Sequence, residues 1–119
     1  MKPTIVLGAS ENPERYSYKA IGMLLDYGHP VVAIGKSGSF AHGVEIQRKW
    51  PSEEHAHTVT LYLNPLHQEK YVQNVLDLKP NRVIFNPGTE NPIFAKLLLE
   101  NGIDAIDACT LVMLRTGQF

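Results

Sequence analysis

The chain has 119 residues, 44% of them apolar and 19% charged, with a net charge of -1 at pH 7. That length suits a single domain over residues 1–119 and leaves no room for a second core, and the composition excludes a disordered chain. The near-neutral balance excludes a global basic field for nucleic acid, so any anion site must be local, and the lone Cys109 excludes an internal disulfide and suits a reducing cytoplasm.

Five short apolar runs recur between turn residues: Thr4–Leu7, Val31–Ile34, Thr58–Leu63, Arg82–Phe85 and, weakest, Asp104–Ile106. Their β-branched content predicts strands for the first four. Helical periods lie between most of them. In Ser17–Tyr27 the residues Ala20, Ile21, Leu24 and Leu25 share a face, and Gly28 follows as a C-terminal stop. In Leu66–Leu78 the face is Tyr71, Val72, Val75 and Leu76, ended by Lys79-Pro80. In Pro92–Asn101 it is Ile93, Phe94, Leu97 and Leu98, ended by Gly102. Asn64-Pro65 and Asn91-Pro92 carry the same entry signal, a capping asparagine before a proline at the first helical position.

Strand–helix alternation with continuous apolar strands predicts an α/β fold, a doubly wound parallel sheet of about five strands with Rossmann-like order. Residues 37–57 break the rhythm, and the expectation there is an irregular excursion or an edge hairpin. No apolar run reaches the length of a membrane span, and the start lacks the apolar core of a signal peptide. A cytoplasmic chain that engages neither membrane nor nucleic acid is expected.

Ligands of such sheets bind beyond the carboxyl ends of the strands, at the topological switch point. Three loops there carry small or anion-friendly residues: Gly8-Ala9-Ser10, Gly35-Lys36-Ser37-Gly38 and Asn86-Pro87-Gly88-Thr89. Gly8 permits a tight turn, Ala9 lets a phosphate approach the backbone, and Ser10 offers a hydroxyl and an N–H. Only the first glycine of the usual dinucleotide fingerprint is present. The loop instead runs on to Arg15, whose fork suits phosphate, beside the first turn of a helix that favours anions. The second strand ends in Gly35-Lys36, without the carboxylate that grips the ribose of NAD. A lysine there points to a nucleotide with an extra phosphate, NADP or coenzyme A.

These features resemble the small CoA-binding domain family, the Rossmann-like module also found at the N-terminus of succinyl-CoA synthetase alpha subunits. Residues 6–15, VLGASENPER, match the family opening; Gly88 and the Cys109 of DACTLVML match later positions. One departure is Gly35-Lys36, where many members have Asn-Pro. The resemblance implies that the Gly8–Ser10 loop and the loop after the fourth strand hold the pyrophosphate. It further implies that the basic edge after the second strand lies near the adenosine 3′-phosphate, and that Asn64-Pro65 lines the adenine side. The expected cofactor is coenzyme A or an acyl-CoA, bound without catalysis by this chain, with a partner enzyme or a second copy as possible protein contacts. Two alternatives stay open: a small NADP-dependent enzyme using Tyr16 or Tyr18 as proton donor, and an interaction protein with a vestigial pocket. His55 and His57, the surface charges Glu53 and Glu54, and the Arg48-Lys49-Trp50 cluster carry neither a metal nor a nucleic-acid reading. Cys109, among apolar neighbours, reads as a packed residue.

Overall fold

The structure, a computed structural model, describes residues 1–51 and 55–119. Strand β1 (Thr4–Leu7) leads to helix α1 (Tyr16–Asp26), then β2 (Val31–Ile34), β3 (Phe40–Ala41), β4 (Val44–Gln47) and β5 (Thr58–Leu61). Next come α2 (Pro65–Gln68), a 3-10 turn (Glu69–Tyr71), α3 (Val72–Leu78), β6 (Arg82–Phe85), α4 (Pro92–Glu100), β7 (Asp104–Asp107) and α5 (Thr110–Arg115). The sheet order is β3-β4-β2-β1-β5-β6-β7, and every pair is parallel except β3–β4.

The sheet thus has seven strands among the described residues, not about five. The additional pair is an edge hairpin inside the excursion, one of the two expectations there; β3 has only two residues, and Glu45 and Gln47 interrupt the apolar residues of β4. Its turn residues His42 and Gly43 have φ of 51° and 80°, the pair of positive angles that a two-residue hairpin turn requires. Such a φ is unfavourable for histidine. Packing holds it: the His42 ring lies 4.3 Å from that of Tyr18 and sits directly over Gly22, where a Cβ would meet the imidazole at 2.6 Å. A glycine in mid-helix therefore makes the seat for the hairpin tip.

Side chains alternate across the fully buried β1. Ile5 and Leu7 join Val59, Leu61, Val83 and Phe85 beneath α3 and α4, whose Val75, Phe94 and Leu98 complete that layer. Val6 faces the other way, with Ala33 and Ile84, against Ile21 and Leu24 of α1 and Leu114 of α5. Helices on both faces make the sheet doubly wound and explain the uninterrupted apolar strands. Two differences from expectation exceed a single residue. The third apolar run leaves the sheet at Leu61, and the helix expected over Leu66–Leu78 breaks into α2, the 3-10 turn and α3. Helix α5 has no counterpart among the expected elements.

Register positions the site. Leu7 pairs with Ile34 and with Leu61, and Leu61 pairs with Phe85. Four parallel strands therefore end level, and Gly8, Gly35, Tyr62 and Asn86 each begin a loop at one edge. Successive strands leave β1 on both sides, so the crevice opens at the switch point.

Candidate functional site

A cleft of about 520 Å³ lies at this edge. Gly8, Ala9, Ser10 and Arg15 form its first wall, Gly35 and Lys36 the second, Asn64 a third, and Pro87 and Gly88 the fourth. Nine of the eleven expected residues therefore come together; Pro65 and Asn86 do not line the cleft. Pro65 opens α2, where the missing N–H costs nothing. Asn86 is 3% exposed and its amide is spent inside the protein. Its Nδ2 donates to Thr60 Oγ1 at 2.7 Å and to the Leu61 carbonyl at 2.8 Å, while Oδ1 accepts the Thr110 N–H at 2.9 Å. Asn86 thus pins β5, β6 and the start of α5 beneath the cleft floor.

Close backbone approach explains two of the glycines. Gly8 has φ 95°, and a Cβ there would touch the Tyr62 carbonyl carbon and the Leu63 side chain at 3.0 Å. At Gly35 a Cβ would lie 2.3 Å from the Ala9 carbonyl oxygen. The loops leaving β1 and β2 are in contact, and a larger residue at position 35 would force them apart.

The amides divide differently from expectation. The N–H groups of Gly8 and Ala9 both donate to the Ile34 carbonyl at 2.9 Å, which fixes the loop and removes them from ligand binding. Ser10 Oγ accepts from Asn12 N at 3.0 Å and holds the next turn. The Gly88 N–H donates to the Glu90 carboxylate at 2.9 Å. By contrast, the first turn of α1 has no side-chain cap and no acidic residue, and its Tyr16 and Ser17 line the cleft. The N-terminal amides of that 11-residue helix, with the dipole behind them and Arg15 as N-cap residue, form the strongest anion-attracting feature of the wall.

Sequence reasoning missed the wall built from α2 and the 3-10 turn, which contributes His67, Lys70 and Tyr71. The basic groups lining the cleft are Arg15, Lys36, His67 and Lys70, and no carboxylate lines it among the described residues. This concentration of one sign in a chain of net charge -1 is local, as the composition required. Tyr62 and Thr89 also line the cleft. Burial pushes the Tyr62 phenol up to about 12, and its buried hydroxyl has no hydrogen-bond partner among the described residues.

Tyr18, one of two tyrosines considered as proton donors, is engaged with His42 and does not line the cleft. Cys109 sits half-buried at the N-cap of α5, also outside the lining. His57 pairs with Thr58 Oγ1 at 2.8 Å, and no cluster of three metal-ligating side chains occurs among the described residues. Glu53 and Glu54 lie outside the described residues. No helix among those described is long and apolar enough to cross a membrane.

Residues 2–115 match the family described as CoA binding domain. A crystal structure of an uncharacterized protein superimposes with a TM-score of 0.97 at 44% identity, covering all of this chain and 98% of that one. A hypothetical protein from Pyrococcus horikoshii OT3 gives 0.88 at 21% identity, covering 97% of this chain and 82% of that one. A structure from Thermus thermophilus, cell-free ID.343, gives 0.85 at 24% identity, with 99% and 91% covered. The last two carry the fold alone. No curated protein sequence matches the chain.

Proposed function

The chain belongs to the CoA binding domain family, and we propose that its cleft holds coenzyme A or an acyl-CoA by the phosphates, without catalysis by this chain. The observation that carries the reading is the cleft itself: four level strand ends, an uncapped helix N-terminus and a basic lining free of carboxylates. Coenzyme A presents a diphosphate and a ribose phosphate, and converging amides and cations recognise such groups. Each exposed helix-end contact is worth about 0.3–1 kcal/mol, so useful affinity needs several at once. In this reading the pyrophosphate takes the first turn of α1 with Ser10 and Arg15. Gly8, Ala9 and Gly35 act by keeping the backbone close and the turn tight rather than by donating. Lys36 faces the ribose phosphate, Asn64 the adenine side, and Pro87-Gly88 the far wall.

One observation disfavours an NADP-dependent enzyme that uses Tyr18: its ring is turned to the hairpin, against His42. Tyr16 lines the cleft, as that alternative requires. An interaction protein with a vestigial pocket predicts no ligand at all. A homo-oligomer or a partner enzyme remains compatible with a binding module that delivers or senses its ligand, and a cytoplasmic setting accords with the single free thiol.

Native mass spectrometry of the purified protein, followed by calorimetric titration with coenzyme A, dephospho-CoA and NADP, tests the reading. Coenzyme A is expected to bind more tightly than either competitor. Tighter binding of NADP overturns it in favour of the enzyme, and silence toward all three ligands favours the interaction protein.

A further inference from the structure

We infer that Lys70 is a second cation for the ribose phosphate, acting with Lys36 from a separate wall, so that coenzyme A is distinguished from its dephospho form by a pair of lysines on separate elements. This rests on the coenzyme A reading above and names who supplies its specificity.

Charge matching calls for more than one cation at the ribose phosphate. A phosphate monoester carries about -1.5 to -2 at pH 7, more than either phosphorus of an esterified diphosphate, and offers three acceptor oxygens. The helix amides and Arg15 serve the diphosphate, and Lys36 is the one cation so far assigned to the group of highest charge. A lysine is a point charge without a fork, so one of them matches a dianion poorly.

The structure ties Lys70 to the Lys36 side of the cleft through a chain of contacts. The N–H of Gly35, beside Lys36, donates to the carbonyl of Gln47 at the end of β4. Three residues on, Trp50 packs on the core and meets the Tyr71 ring, with centroids 6.2 Å apart. Tyr71 belongs to the 3-10 turn, and the Lys70 ammonium lies 5.1 Å over its ring. Aromatic contact of this kind steadies a long flexible side chain that would otherwise sample solvent. Lys36, Lys70 and Tyr71 all line the cleft. Trp50 thus has a role that its basic neighbours in sequence conceal: it anchors the tyrosine that carries Lys70.

Calorimetry with coenzyme A and dephospho-CoA on the wild type, Lys36→Ala, Lys70→Ala and the double variant tests this. Both substituted lysines are exposed, and thermal melts verify that each variant is folded. An exposed ion pair contributes about 0.2–1 kcal/mol, so each single change is expected to cut the coenzyme A preference about threefold. Only the double variant is expected to bind both ligands equally. Two outcomes overturn the inference while leaving the coenzyme A reading intact: a preference unchanged in Lys70→Ala, whether or not both ligands weaken together, or parity reached by Lys36→Ala alone. Failure of the wild type to bind either ligand overturns both.

Discussion

Helices α2 and α4 begin with the same two residues and end differently. Asn64 Oδ1 accepts the His67 N–H at 3.0 Å, Asn91 Oδ1 accepts the Phe94 N–H at 3.1 Å, and each is followed by proline. Helix α4 then runs nine residues with Phe94 and Leu98 buried, whereas α2 stops after four and passes through a 3-10 turn. The cause is one residue. Gln68 is wholly buried, and its Nε2 donates to the Leu63 and Thr89 carbonyls at 2.8 Å while Oε1 accepts from Asn91 Nδ2 at 2.9 Å. A polar side chain drawn inward at the end of one turn pins α2 to both neighbouring loops, and Tyr71 then docks on Trp50. Local capping starts a helix; tertiary contacts decide how far it continues.

Breaking that hub should produce the largest effect. Gln68→Ala leaves two buried carbonyls and one amide without partners, each unmade bond costing about 1–3 kcal/mol. A loss near 3 kcal/mol is expected in urea unfolding, and a loss under about 1 kcal/mol would show that α2 is held by something else. The caps themselves should separate next. Asn64→Ala is expected to cost about 1 kcal/mol as a lost cap, and Asn91→Ala about 2 kcal/mol, because it also strips Gln68 of a donor. Equal losses at the two sites would deny the hub its asymmetry.

The loops before the two helices differ as well. Glu90 occupies the Gly88 N–H ahead of α4, and Leu63 offers nothing comparable ahead of α2. Glu90→Gln weakens that contact and removes a negative charge beside the cleft. Coenzyme A is expected to bind about threefold more tightly, as for release of one charge-assisted hydrogen bond in an exposed setting. Weaker binding in a titration of this variant would place Glu90 among the ligand's partners instead.

The smallest effect concerns acid. His29 and His57 titrate below the ordinary 6.5, chiefly because burial disfavours the charged ring, with Lys2, Arg82 and the N-terminal amine adding repulsion. Between the lowered values and 6.5 the unfolded chain binds more protons, so stability is full above 6.5 and falls as pH drops through that window. The melting temperature should decline by a few degrees, on the order of 1 kcal/mol or less, between pH 7.5 and pH 5.5. Gln68→Ala should decline in parallel, since both histidines lie away from the hub. A steeper decline in that variant would couple the two regions.

How much of this the residues announced follows the same division. Thr4–Leu7, Val31–Ile34 and Arg82–Phe85 were readable to the residue, because a continuous apolar run between turns is a local signal. The edge hairpin was offered as one of two options for residues 37–57 but not placed, since Phe40–Ala41 is two residues long, Glu45 and Gln47 interrupt the apolar residues of Val44–Gln47, and His42 takes a positive φ with its ring against Tyr18 and over Gly22. Within the cleft, glycines and the Arg15 and Lys36 cations were legible by their place after strands. Lys70 was hidden inside an apparent helix whose break depends on Gln68. Asn86 carried the right signal for the wrong reason: its loop lines the cleft, but its amide is consumed by Thr60, Leu61 and Thr110.

The two outermost strands also govern how molecules of this protein meet one another. On one flank β3 offers only two residues of open backbone, and on the other β7 begins and ends with exposed aspartates. Short or charged flanks give an incoming strand of a neighbouring chain little to pair with. Growth of the sheet from molecule to molecule is therefore discouraged at both flanks, and self-association, where it occurs, is steered toward the helical faces.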